Sequence, residues 1–323
     1  MSQIAGIRET EIRTGPGKGL AVIEVYNAAG LRFTVLPGRC LDIYDFSYKG
    51  VNLSFQTKNG LHAIYSPAED EFFQLWPGGM LSTCGLANVG DACFDGGAHP
   101  IHGRIGGIPA HHVSVSKGWI NDDYILSICG EMNETRLYGR DMILKRTISV
   151  GLFDKNITIE DTVTNRYCAD EEFMLLYHFN FGYPLLDEIS TVVCSGSNRQ
   201  PRNGHSGEAA KMCAPGSEPP HQLFLYETSD LTRAALLNPG LGIGGYLEYD
   251  AENLPYLCLW KNPAPHDYVV ALEPCNCVGL GRAAERENGT LAVLPAYGSI
   301  TNRLKLGVLD GEGELRAFTD ACR

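Results

Sequence analysis

Two segments of this 323-residue chain place one titratable side chain in an otherwise apolar, strand-like run. In Met174-Leu-Leu-Tyr-His178-Phe-Asn180-Phe-Gly-Tyr-Pro the group is an imidazole. In Asp267-Tyr-Val-Val-Ala-Leu-Glu273-Pro-Cys-Asn276 it is a carboxylate. A strand alternates its side chains between two faces, so His178 and Asn180 share one face with Leu176, and Tyr177 and Phe179 take the other. Polar side chains set among apolar ones need partners or a wet cavity. If His178 and Glu273 meet over such a cavity, they form an acid/base pair that can put a proton on one oxygen while removing one from its neighbour. Opening and reclosing a cyclic hemiacetal asks for little more. The plainer alternatives are a core histidine bonded to a neighbour and a carboxylate paired with an arginine such as Arg282.

Other segments could supply binding groups. His99-Pro-Ile-His102-Gly-Arg104-Ile-Gly-Gly sets an imidazole and a guanidinium in a glycine-rich turn, where both could grip hydroxyls. The alternative is a turn with exposed polar groups. Leu36-Pro-Gly-Arg39-Cys-Leu-Asp42 puts a charged pair at a turn-to-strand transition. Trp76 and Trp260 are aromatic surfaces on which a sugar ring could pack, although a single Trp more often fills a core. Asn276, three residues past Glu273, is expected near the same pocket. His99/His102 and His111-His112 could be halves of a metal site, but no Asp or Glu at matching spacing supports it, and none is assigned. Gly240-Leu-Gly-Ile-Gly-Gly lacks the Lys-Ser/Thr and the helix that a phosphate loop requires.

The elements that must position these groups read as strands. Leu20–Val25, Leu31–Leu36, Tyr124–Cys129 and Ile157–Val163 are rich in β-branched and aromatic residues, and the last alternates apolar with polar. Further strands are expected at Leu223–Tyr226, Ile243–Tyr249, Leu257–Trp260, Val269–Leu272, Leu291–Leu294 and Ile300–Val308. The gaps carry the Gly, Pro, Asn and Asp that turns require. Helical periodicity is confined to short pieces, with Asn203–Met212 the best candidate. No linker and no fixed-period repeat is visible. The pattern predicts an all-β chain, one large antiparallel β-sandwich over residues 1–323.

Composition excludes more than it identifies. The apolar fraction of 44% suffices for a large core. Net charge is −12, and no run of Lys or Arg could form a phosphate-binding stripe, which argues against nucleic acid. No apolar run approaches the roughly 20 residues that span a bilayer. The start, Met-Ser-Gln-Ile-Ala-Gly-Ile-Arg, does not read as a signal peptide, so a cytoplasmic location is expected and the 11 scattered cysteines read as free thiols.

Taken together, several segments resemble the aldose 1-epimerase, or galactose mutarotase-like, superfamily, and within it a branch often labelled only as a domain of unknown function. They are Leu-Pro-Gly-Arg39-Cys-Leu-Asp42-Ile, Gly78-Gly-Met-Leu-Ser-Thr-Cys-Gly-Leu-Ala-Asn-Val-Gly90, Ile101-His102-Gly-Arg104-Ile-Gly, Leu-Leu-Tyr-His178-Phe-Asn180-Phe-Gly-Tyr, Leu-Glu273-Pro-Cys-Asn276 and the closing Gly-Thr-Leu-Ala-Val-Leu-Pro near Leu294. The resemblance implies an antiparallel supersandwich with a shallow sugar cleft. It implies that His178 protonates the ring oxygen, that Glu273 takes the anomeric hydroxyl proton, and that His102 and Arg39 bind the sugar. It further implies an isomerase acting on a monosaccharide or sugar derivative, as monomer or homodimer, with no metal or organic cofactor; the alternative is a non-catalytic carbohydrate-binding protein on the same fold. Arg104, Asn180, Trp260 and Asn276 complete the expected binding set. Better-known members carry Asn-His-x-Tyr-Phe-Asn at the catalytic histidine and a substrate-binding aspartate, for which Asp250 is the nearest candidate here.

Overall fold

A computed structural model describes residues 1–63, 71–202 and 208–323. Strands make up 52% and helix 8%, and the strand pairs are antiparallel throughout. The strands form three main sheets. A five-stranded meander runs from Gly6–Glu11 to Val51–Asn52 in sequence order. An eight-stranded sheet has Ser299–Asp310 and Asn156–Asn165 at its centre and ends on His111–Ile120. A seven-stranded sheet contains Gln222–Glu227, Tyr256–Ala264, Asp267–Cys275 and Glu171–Phe181 side by side, and Leu81–Leu86 pairs with the last of these.

Burial explains which strands the sequence announced. Asn156–Asn165 alternates buried and half-buried residues along its length, the signature of a strand with one face on the core. Glu171–Phe181 is different: from Phe173 on, both faces are buried. Its odd-numbered residues Tyr177 and Phe179 enter the main core, where Phe181 also packs, while Leu176 joins a smaller cluster with Cys84, Cys258 and Cys275. Fully burying one such aromatic contributes roughly 1.5–3 kcal/mol, so the strand is held on both sides.

Several elements escaped the sequence reading. In Asp141–Gly151 the buried phase is Met142, Leu144, Arg146, Ile148 and Val150. An arginine in the apolar phase broke the pattern. The helix Glu312–Ala321 buries only Leu315 and Phe318, too short a stripe to stand out. Of the proposed helix at 203–212, residues 203–207 lie outside the described residues, and 208–212 form no helix.

Candidate active site

The two central strands of the seven-stranded sheet bring the acid/base candidates together. Leu176 pairs with Cys275 and Phe179 with Leu272, a register that sets His178 across from Glu273. His178 Nε2 lies 3.0 Å from Glu273 Oε1, and both side chains are almost fully buried. They form the floor of a cavity of about 810 Å³, within the roughly 300–1,000 Å³ usual for small-molecule sites.

The contact is close but not an aligned hydrogen bond. Among the described residues, His178 Nδ1, Asn180 Oδ1 and Glu273 Oε1 have no hydrogen-bond partner. Burial pushes the Glu273 carboxyl up to about 8. Burial, and then the neighbouring His102, push the His178 imidazole down to about 3, with Asn180 acting weakly the other way. With both groups buried, the pair's titrating proton rests on Glu273 and the imidazole is neutral. Moving that proton across the 3.0 Å contact would give a carboxylate beside an imidazolium.

Aromatic rings wall the cavity. Trp76 lies 5.7 Å from the His178 ring and stacks on Phe72 at 5.8 Å; its indole N–H donates to Ser82 Oγ at 3.1 Å. Trp260 meets the His178 ring edge-on at 5.5 Å and carries His221 stacked at 6.0 Å. A sugar presents flat C–H faces and hydroxyl edges, which such a wall with a polar floor accommodates.

His102 enters the wall on a strained turn. It has φ +57° and the following Gly103 +73°. A Cβ on Gly103 would stand 2.1 Å from the Gly85 carbonyl oxygen, so the turn requires glycine. Gly103 thus serves a close approach of backbone to backbone, and it also lines the cavity with Gly106 and Gly107. The Gly90 N–H donates to His102 Nδ1 at 3.4 Å, which leaves the proton on Nε2, and burial lowers this imidazole to about 4. His102 is a neutral donor 5.6 Å, ring to ring, from His178.

Arg39 lines the cavity too, but one of its N–H groups is committed to the His62 carbonyl at 2.5 Å. Three expected binding residues do not reach the cavity lining. Arg104 is exposed, because the turn that sets His102 in the cavity wall sends the residue two positions on into solvent. Asn180 is fully buried one step behind His178, its amide donating to the carbonyls of Gly79 and His178 at 2.9 and 2.8 Å. Asn276 lies past the end of the glutamate strand, where its Oδ1 accepts from the Leu175 N–H at 2.7 Å and pins that strand to its neighbour. Asp250 is exposed at the end of a strand of the eight-stranded sheet. Arg282 does not pair with Glu273; it is taken by Asp95 and Glu172.

Charged groups at the cavity wall were missed, among them Asp267 and Lys58, joined at 2.9 Å. A signal for Asp267 existed. It precedes Glu273 by six residues on the same strand, and a period of two places Asp267, Val269 and Glu273 on one face, all three lining the cavity.

This antiparallel sandwich of three sheets is the galactose mutarotase-like fold. The chain belongs to the family described as Domain of unknown function (DUF4432), whose model matches residues 17–308. Among solved structures it is similar to a "putative aldose 1-epimerase" from Klebsiella pneumoniae subsp. pneumoniae MGH 78578, with TM-score 0.91 and 20% identity over 98% of this chain and 86% of that one. It is also similar to a galactose mutarotase-like protein from Clostridium acetobutylicum, with TM-score 0.68 and 15% identity over 95% and 99% of the two chains. A third likeness is to galactose 1-epimerase from Lactobacillus acidophilus NCFM, with TM-score 0.63 and 13% identity over 95% and 100%. No curated protein matches the chain. No helix among the described residues is long and apolar enough to cross a membrane.

Proposed function

We propose that the protein interconverts the anomers of a sugar or sugar derivative by acid/base catalysis. The observation that carries this reading is the contact of His178 Nε2 with Glu273 Oε1 at 3.0 Å on the floor of an aromatic-walled cavity. In a pyranose the ring oxygen and the anomeric hydroxyl share one carbon, so a single pair of adjacent groups can serve both. Ring opening needs one acid and one base at once, and a pair holding one proton is both.

Sugar hydroxyls set polar groups against the His178/Glu273 pair, which favours the charged forms that burial disfavours. Glu273 then passes its proton to His178, takes the O1 proton as carboxylate, and His178 protonates the ring oxygen. The open-chain aldehyde turns about its C1–C2 bond and recloses with the roles reversed. His102 Nε2–H and Arg39 hold hydroxyls, and Trp76 and Trp260 hold the ring face. This chemistry uses no metal or organic cofactor.

Anomer exchange over a panel of sugars, followed by NMR or polarimetry, tests the reading. Acceleration that disappears in Glu273→Gln supports it. If several sugars bind in the cavity and none exchanges faster than in buffer, the chain is a carbohydrate-binding protein on this fold.

A further inference from the structure

The eight-stranded sheet carries a second cluster of ligating side chains, away from the cavity. His111 and His112 open the edge strand His111–Ile120, and Glu131 lies across from His111 on the neighbouring strand. Consecutive residues of a regular strand point to opposite faces. Here they do not: His112 takes φ +53°, and the ladder breaks register between Cys129 and Glu131. Both rings come to the same side, with centroids 4.5 Å apart. His111 Nε2 stands 3.6 Å and His112 Nδ1 3.4 Å from the same carboxylate atom, Glu131 Oε2. All three ligating atoms lie within 4.8 Å of one another.

From these distances we propose that His111, His112 and Glu131 form a binding site for a divalent cation of the zinc class. Bonds of about 2.0–2.1 Å at tetrahedral angles give ligand-to-ligand edges of roughly 3.3–3.4 Å. Two of the three edges are near that value already, and the histidine side chains are partly or largely exposed and free to close the third. Two imidazoles and a carboxylate suit zinc-type ions rather than calcium or magnesium, which take oxygen. Three protein ligands leave a fourth position to water. The site closes the segment that begins at His102, so a bound ion would brace the stretch between the cavity wall and the sheet edge. The sequence alone could not show it, because the carboxylate comes from the partner strand and not from a nearby position.

The test is equilibrium dialysis of the full chain, stripped with chelator, against zinc chloride, with melting temperature as a second readout. One equivalent of Zn²⁺ should be retained, and the ion should raise the melting temperature. Glu131→Gln and the double variant His111→Ala/His112→Ala should each weaken retention by about tenfold or more, while melting as the wild type does without metal; His266→Ala, at an exposed histidine elsewhere, should change neither. Substituting Co²⁺ separates this site from the free thiols, since a thiolate ligand gives intense near-ultraviolet charge-transfer absorption and imidazole with carboxylate does not. Absence of saturable binding, undiminished binding in the double variant, or a thiolate spectrum would overturn the assignment.

Discussion

Two of the protein's buried clusters of charged residues are built on opposite terms. Around Arg146, every polar atom is matched. Its guanidinium makes five hydrogen bonds, one for each N–H: two to Asp161, and one each to Asp42, the Cys40 carbonyl and Thr83. Thr83 in turn donates its N–H and its hydroxyl to Asp42. This network joins all three sheets. Around His178 and Glu273, three polar atoms are left without a hydrogen bond among the described residues. Both clusters are deep, so burial does not separate them. Pairing does: Asp42, despite its burial, is held by its partners to about 6, while Glu273, with burial acting alone, rises to about 8. A satisfied network closes a fold, whereas unmatched titratable groups at a cavity mark a candidate site.

That contrast can be broken in order of size. Glu273→Gln preserves shape and removes the base, and should cut anomer exchange by about 100- to 10,000-fold, as should His178→Asn, with binding of the same sugar much less affected. NMR exchange rates read the first and equilibrium titration the second; an unchanged rate in both variants would end the acid/base assignment. Arg146→Met should instead act on the fold. It leaves Asp161 and Asp42 buried without their cation, at a cost of about 3–5 kcal/mol in denaturant unfolding, while the folded fraction keeps its turnover. A loss of turnover beyond the unfolded fraction would blur the line between the clusters.

The proton of the pair sharpens it further. Above about 8 the pair loses its proton and with it the acid, so kcat/KM should fall about tenfold per pH unit there. Stability carries the matching sign. Folded Glu273 keeps its proton to about 8, while the unfolded chain releases it near the ordinary 4.5. Folding therefore takes up a proton in this window, and this residue's contribution to stability falls as pH rises through it. Glu273→Gln has no such slope and should gain on the wild type between pH 6 and pH 9 in unfolding midpoints. The smallest effects belong to the wall. His102→Ala should raise KM about tenfold with little change in kcat, since its donor holds hydroxyls in ground and transition states alike. Arg104→Ala, in solvent, should change neither constant.

The fold class was legible because half-buried strands leave a period of two that survives in the sequence, as in Asn156–Asn165. His178 and Glu273 were legible for the opposite reason: each is a titratable group in a run that is otherwise apolar, a local contradiction that can be seen without knowing what lies across from it. The same logic misread Asn180 and Asn276. Each looks like a site residue by its position, and each is used by backbone carbonyls or N–H groups that only the packed strands bring near. Arg146 went the other way, hiding both its strand and its network, because its four partner residues come from three other segments of the chain. What a residue type and its neighbours in the chain determine is a face and a burial preference. Which groups meet is set by strand register and by the stacking of sheets, and these join positions scores of residues apart, such as His178 with Glu273 and Asp42 with Arg146.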